Sequence, residues 1–411
     1  MRGQEKDTPP SSTNGDEIGA VDDDVIYFDE MEEVELDDDY DMEELDHLIE
    51  LERELELGSR EDHAQMVFDK HKGSVFCCDM HPNGKLAVSG GIDDKAYVWS
   101  IQTGQIVMDC TGHKDSVIFV GFSFDGAFLA SFDMRGVIKV WKCNLEDNQQ
   151  QPWPIIFEYE AGDLSWGFWH FGAWVLICGA VTGDIYVFKI PTGDTKVLQG
   201  HNIRTECGKL FRDGVHLAVG YNDGTVKVWD LKSSIIWYQI PASVHQTCVT
   251  DIDIHPENKL MASISTDGKF VFTTPSNGKV VAQVQTIHNL ELVAFSPDSQ
   301  LELFALGALN GSLTIWDTAR QMSRHNCTEP QDDVAIGVTK MFWIKDQIAT
   351  GRLDGSVRVY DARSGTQSLM LTGHKGEILD MCYNPKENLI LTVAGDGTAR
   401  VFKYAVKTEN D

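Results

Sequence analysis

Positive charge is what this chain most lacks. Its 411 residues carry 34 Lys and Arg against 64 Asp and Glu, a net charge of −30. The shortage is concentrated. Residues 16–62 hold 23 acidic side chains with only Arg53 and Arg60 as bases, whereas residues 63–411 hold 39 acids and 30 bases. Nucleic acid and anionic lipid are gripped by basic surfaces, so direct binding to either is not expected, and a basic protein is the natural partner. Long apolar runs are also missing. The longest, Phe168 to Val181, is broken by His170, Gly172 and Gly179 and is too short to span a bilayer, so no integral membrane association is expected. No basic-then-apolar leader precedes the acidic stretch, which points to a cytoplasmic protein, with partial nuclear or membrane-peripheral residence left open. The nine cysteines are odd in number and form no CxxC pair. Most lie in apolar runs, where a reduced thiol packs as a small hydrophobe. A P-loop, an HExxH helix and zinc-type Cys/His spacing are all absent, so no cofactor and no metal are expected.

What the sequence does have is repetition. A small-residue turn followed by alternating apolar positions and an aromatic recurs as DDKAYVW (93–99), GVIKVW (136–141), GDIYVF (183–188), DGTVKVW (223–229), DGKFVF (267–272), NGSLTIW (310–316), DGSVRVY (354–360) and DGTARVF (396–402). The anchoring aromatics at 99, 141, 188, 229, 272, 316, 360 and 402 are spaced by 42, 47, 41, 43, 44, 44 and 42 residues. That period suits four short strands per propeller blade. In the first unit, alternation and turn residues place strands at 75–79, 86–90, 96–100 and 105–110. The last unit lacks a good fourth strand, whereas Gln65 to Phe68 stands unclaimed before the first. Pairing of 65–68 into the eighth blade closes the ring and removes exposed sheet edges. The expected fold is all-β: an eight-bladed propeller over 63–411, closed by an N-terminal strand. It is preceded by an acidic, largely disordered tail over 1–62 with an amphipathic helix at 42–57.

The units resemble the WD40 family. Trp229-Asp230 and Trp316-Asp317 match its dipeptide, and Gly112-His113, Gly200-His201 and Gly373-His374 its second signature pair. The resemblance implies a buried hydrogen-bond network of His, Ser/Thr, Asp and Trp. It is complete as His71, Ser89, Asp93 and Trp99; it reads His374, Thr392 and Asp396 in the eighth unit, and His201, Asp223 and Trp229 in the fourth. The second unit has His113 and Ser131 but Arg135 at the Asp position, the fifth has its aromatic one residue early, and the third has Asp163 where His belongs. A His–Ser–Asp group is also the composition of a hydrolytic triad. A catalytic triad occurs once per site, however, and this set recurs along the chain, so a structural role and no enzyme are expected.

The same resemblance implies partner contacts three and five residues after each entrance His. The positions so obtained include Phe76, Trp166, Phe168, Glu206, Glu291 and Glu377, with Trp166 and Phe168 counted from Asp163. Together they suggest an acidic and aromatic rim for Arg and Lys of an extended peptide; read blandly, the glutamates are solvated loop residues and Trp166 fills a gap. The tail can likewise be a solubilising segment or a polyanion that attracts a basic client. Ser74–Cys77, Gly91–Trp99, Gly112–Val117, Glu160–Leu164 and Gly373–Asp380 further resemble the family of the angio-associated migratory cell protein. Through it the chain resembles a yeast eight-bladed WD40 chaperone. The resemblance implies a monomeric chaperone for a basic large-subunit ribosomal protein in ribosome biogenesis, or a signalling scaffold in cell migration and angiogenesis. Charge favours the chaperone.

Overall fold

The computed structural model describes residues 60–145, 152–327 and 336–405. The expected disordered tail and its helix at 42–57 lie outside the described residues. Thirty-two strands, β1 to β32 in chain order, are the regular elements of the described residues, and they form eight four-stranded antiparallel sheets. The first blade runs inner to outer as β2 (Val75–Met80), β3 (Leu86–Gly91), β4 (Ala96–Ser100) and β5 (Ile106–Cys110). The pattern repeats seven times, and the innermost strands contact one another in succession until β30 (Ile378–Asn384) meets β2. Burial explains the residue choice in each strand. The second and third strands of a blade are covered on both faces by neighbouring blades and are mostly buried, whereas outer strands such as β5 alternate exposed and buried positions.

Ring closure follows the expected route. β1 (Met66–Phe68) pairs antiparallel with β32 (Ala399–Lys403), with Met66 opposite Val401 and Phe68 opposite Ala399. Phe68 is buried and stacks on Trp99 of the first blade at 4.8 Å between ring centroids and 5° between planes. One short strand thus completes the eighth sheet by hydrogen bonding and packs it onto the first by burying an aromatic ring, a contribution of about 1.5–3 kcal/mol for the side chain. The residues just before β1 are fastened as well. Arg60 Nη1 lies 3.2 Å from Asp354 Oδ2, Thr372 Oγ1 donates to the Glu61 carbonyl at 2.6 Å, and Arg400 pairs with Asp62.

The core consists of layers between blades rather than one central mass. Tyr97 and Trp99 of the first blade pack with Leu391, Val393 and Val401 of the eighth, and Val98 and Met108 with Val120 and Leu129 of the second. Antiparallel topology puts the blade-to-blade links and the second-to-third turns on one face of the ring. The two remaining turns of each blade lie on the opposite face. The tight second-to-third turns need glycine where the incoming chain crosses them. At Gly136, with φ of 77°, a Cβ would lie 1.8 Å from the Gly162 carbonyl oxygen.

Candidate functional site: the mouth of the propeller channel

Every innermost strand begins with a β-bulge, an extra residue that the second strand leaves unpaired. The bulged residues are Phe76, Ile118, Ser165, Glu206, Thr250, Glu291, Thr339 and Leu379. A bulge re-aims a side chain and ends regular pairing. Eight of them at one end of the innermost strands make a ring of side chains around the mouth of the channel. The ring is chemically lopsided. Leu379, Phe76 and Ile118 make an apolar arc on blades eight, one and two, while Glu206 and Glu291 stand on blades four and six.

The sequence-derived rim residues fall in two groups. Phe76, Trp166 and Phe168 share the wall of one cavity of about 470 Å³ inside the channel. Only Phe76 of the three is a bulge residue; counting from Asp163 overshoots the third bulge, which is Ser165. Trp166 is instead slotted between blades three and four. A Cβ at Gly179 would lie 2.2 Å from its ring, and one at Gly208 would lie 2.3 Å away. Phe168 stacks on it at 5.7 Å and 13°. The glutamates lie apart from that cavity, at the starts of inner strands in blades four, six and eight. Glu206 is held upright by Asn222 Nδ2 at 2.8 Å and Arg204 Nε at 3.3 Å. Burial pushes the half-buried Glu291 carboxyl above its usual range. Glu377 leans against Gly395, where a Cβ would come within 2.5 Å of its carboxylate.

Sequence reasoning missed a set of carboxylates deeper in the channel. Inner strands of neighbouring blades splay apart, which leaves backbone N–H groups without sheet partners. Side chains from the preceding blade accept them instead. Asp380 Oδ2 accepts from the Cys78 N–H at 3.0 Å, Asp79 Oδ2 from Phe122 at 2.7 Å, Asp251 Oδ2 from Val293 at 3.0 Å and Asp253 Oδ2 from Phe295 at 2.7 Å. Lys340 lies 3.4 Å from Asp380, and Lys209 lies 2.9 Å from Asp253. Those carboxylates raise the pKa of both lysines. Burial raises Asp79 to about 7 and Asp251 to about 6, so charge in the channel varies near neutrality. The available signal was an acid set inside an apolar inner strand, as in VFCCDM and VTDIDI.

On the same face as the mouth, where the blade-to-blade links meet the second-to-third turns, lie the polar networks. In the first blade His71 Nδ1 is 3.0 Å from Asp93, its Nε2 is 2.9 Å from Ser89 Oγ, and Trp99 Nε1 donates to Ser89 at 3.2 Å. In the eighth, His374 bridges Asp396 at 3.1 Å and Thr392 at 2.7 Å, while Phe402 has no donor to offer. The fourth blade rearranges its group. His201 Nε2 meets Asp223 at 3.0 Å, Lys227 Nζ donates to Nδ1 at 2.9 Å, and Trp229 Nε1 finds no acceptor. The second blade departs from its expected pattern. Asp133, not a residue at the Arg135 position, sits 3.4 Å from His113, and Arg135 pairs outward with Asp115. Asp133 reaches from the strand end instead of the turn and also accepts the Lys114 and Val137 N–H groups. In the fifth, Thr273 takes the register position that Trp99 holds in the first, with Phe272 one residue before it. Ser89 and the His71 side chain are both fully buried, so no substrate can reach the hydroxyl of this triad-like group. Among the described residues no cluster of three or more His, Cys, Asp or Glu could hold a metal ion, and no helix is long and apolar enough to cross a membrane.

Comparison with known proteins supplies the context for this geometry. A family model described as WD domain, G-beta repeat, matches residues 63–100, 104–142, 194–230 and 365–403. The angio-associated migratory cell protein of Homo sapiens is 35% identical over 370 residues, covering 84% of this chain and 82% of that protein. The ribosome assembly protein SQT1 of Saccharomyces cerevisiae is 23% identical, over 82% of this chain and 85% of that protein. The fold matches the crystal structure of Chaetomium thermophilum Sqt1 bound to the N-terminus of ribosomal protein L10. The TM-score is 0.75 at 22% identity, over 84% of this chain and all of that one.

Proposed function

Because the chain belongs to the WD40-repeat family of the angio-associated migratory cell protein, we propose that it is a protein-binding propeller that chaperones a basic large-subunit ribosomal protein before its assembly. The observation that carries this reading is the lopsided mouth. Glu206, Glu291 and Glu377 offer carboxylates to Lys and Arg of an extended segment, and Phe76, Trp166 and Phe168 line a separate cavity in the same channel that takes its apolar or cationic side chains. Charge-assisted pairs at the rim speed encounter, and the aromatic wall holds the segment once it has arrived. The Sqt1 that shares this fold binds the N-terminus of ribosomal protein L10, and the related yeast protein is named for ribosome assembly. A ribosomal client met in the cytoplasm is therefore the partner this reading assigns. The name of the human relative supports a second reading, a scaffold in cell migration.

Affinity purification of the full chain followed by mass spectrometry separates the two. A chaperone returns one basic large-subunit protein in a complex that dissolves as salt is raised, and its depletion lowers large-subunit levels. Recovery of cytoskeletal and membrane regulators without a ribosomal protein would sink the chaperone reading. Joint charge reversal at Glu206, Glu291 and Glu377 is expected to weaken the client complex by about tenfold or more. Wild-type affinity in that variant would move the site away from the mouth.

A further inference from the structure

On the face opposite the mouth, a groove of about 440 Å³ opens between blades three and four. Its floor is apolar: Val175 and Val187 come from blade three, and Val215 and Leu231 from blade four. Its rim is basic, with Lys189 and Lys196 on one side and Lys232 on the other, against the single carboxylate of Asp194. In a chain of net charge −30, three lysines around an apolar floor reverse the local sign. Lys196 is also a structural tie. Its Nζ crosses the groove to donate to the carbonyl oxygens of Leu231 at 2.9 Å and Lys232 at 3.0 Å, which fixes the two walls at a set width. Lys189 and Lys232 are exposed, and Phe171, 53% exposed, lies beside Gly214 at the groove's end. An apolar floor with exposed cations above it complements a segment that carries carboxylates on either side of large apolar side chains.

We propose that this groove is a second docking surface, which receives an acidic segment with apolar anchors from another protein. Its charge is opposite to that of the mouth, and it lies on the other face of the ring. The propeller can therefore hold a basic client and an acidic partner at the same time, and each surface repels the other's ligand. The groove does not depend on which client the mouth takes.

The test uses the full chain and a short fluorescent peptide in which a Phe–Leu pair is flanked by Glu, with a control peptide carrying Ser in place of both apolar residues. Wild type is expected to bind the first peptide saturably, and the control about tenfold more weakly or not at all. The Lys189→Glu/Lys232→Glu double variant should lose binding by at least about tenfold while its thermal unfolding stays that of wild type, because both side chains are exposed. Three results would each overturn the proposal: no binding to wild type, equal binding of the Ser control, or unchanged affinity in the double variant.

Discussion

Blades one and three solve the same packing problem by different chemistry. In the first, the incoming loop is tied to the sheet by polar groups, with His71 bonded to Asp93 and Ser89 and Trp99 closing the set. In the third, Cys178 faces Tyr186 across the strands as Ser89 faces Tyr97, and Phe188 stands in the register of Trp99. Aromatic rings replace the network there. Phe157 and Tyr159 from the outer strand of blade two lie 5.2 and 5.0 Å from Phe188, and the Tyr186 hydroxyl donates to the Ala161 carbonyl at 3.0 Å. The incoming loop is still tied and the blade face is still filled. What the fold requires is a filled interface and an anchored loop; the tetrad is one way to supply them.

The largest effect should come from the anchors themselves. Trp99 and Phe188 are both fully buried, and truncation of either to Ala is expected to cost about 3–5 kcal/mol in chemical denaturation. Trp99→Ala should be the worse of the two, because that ring also donates to Ser89 and carries Phe68 of the closing strand. A milder Trp99→Ala than Phe188→Ala would mean that ring closure does not run through this stack.

A smaller effect separates the two kinds of tie. His71→Ala leaves Ser89 and Asp93 without their shared partner and is expected to cost about 1–3 kcal/mol. Its pH signature is more telling. Burial lowers the His71 pKa against the opposing pull of Asp93, so the fold prefers the neutral ring. A depressed folded-state pKa contributes stability that is present above the unfolded value of about 6.5 and is lost as pH falls toward the folded one. His245, buried and lowered to about 4, and His374, lowered by burial, act in the same direction. Asp79 and Asp251, raised by burial, pull the other way over the same window, so the His71 contribution is read as a difference: from pH 7 toward pH 4 the melting temperature of wild type should lose ground relative to that of His71→Ala. Tyr186→Phe in blade three should cost about 0.5–1.5 kcal/mol and keep the wild-type slope. Equal slopes in all three proteins would show that His71 does not titrate with unfolding.

The contrast also explains what was legible in the sequence. Blade one could be read to single residues because four side chains at fixed offsets leave little freedom, and strand β1 could be placed because an unpaired outer edge demanded a partner. Blade three showed only its anchor, Phe188. With no histidine to count from, Asp163 served as the origin and the frame slid, so Ser165 was passed over for Trp166 and Phe168. Ser165 precedes Phe188 by the same interval as Phe76 precedes Trp99, and counting back from the anchor finds it. Thr339 is recoverable less directly, since the seventh anchor follows at a shorter interval. In the second blade Asp133 replaced the expected turn residue because a carboxylate at the strand end reaches the same imidazole. The channel aspartates were hidden for another reason. Asp79, Asp251, Asp253 and Asp380 serve backbone groups that exist only once neighbouring blades splay apart, a property of the closed ring.

The smallest stability effect is expected at the rim, and there the two arcs of the mouth should part company. Glu206 is partnered by Arg204 and Asn222 near solvent, and exposed pairs of this kind contribute little. Glu206→Gln should shift stability by no more than about 0.5 kcal/mol and yet weaken binding of a basic client, because the carboxylate acts on charge that arrives from outside. Phe76→Ala on the apolar arc should do the reverse in part. It should leave the salt dependence of binding unchanged while it raises the dissociation rate, since a desolvated anchor governs residence and a rim charge governs encounter. Stopped-flow association at two salt concentrations reads both quantities at once. If Glu206→Gln altered only dissociation and Phe76→Ala only the salt slope, the two arcs would have exchanged the roles that their chemistry assigns them.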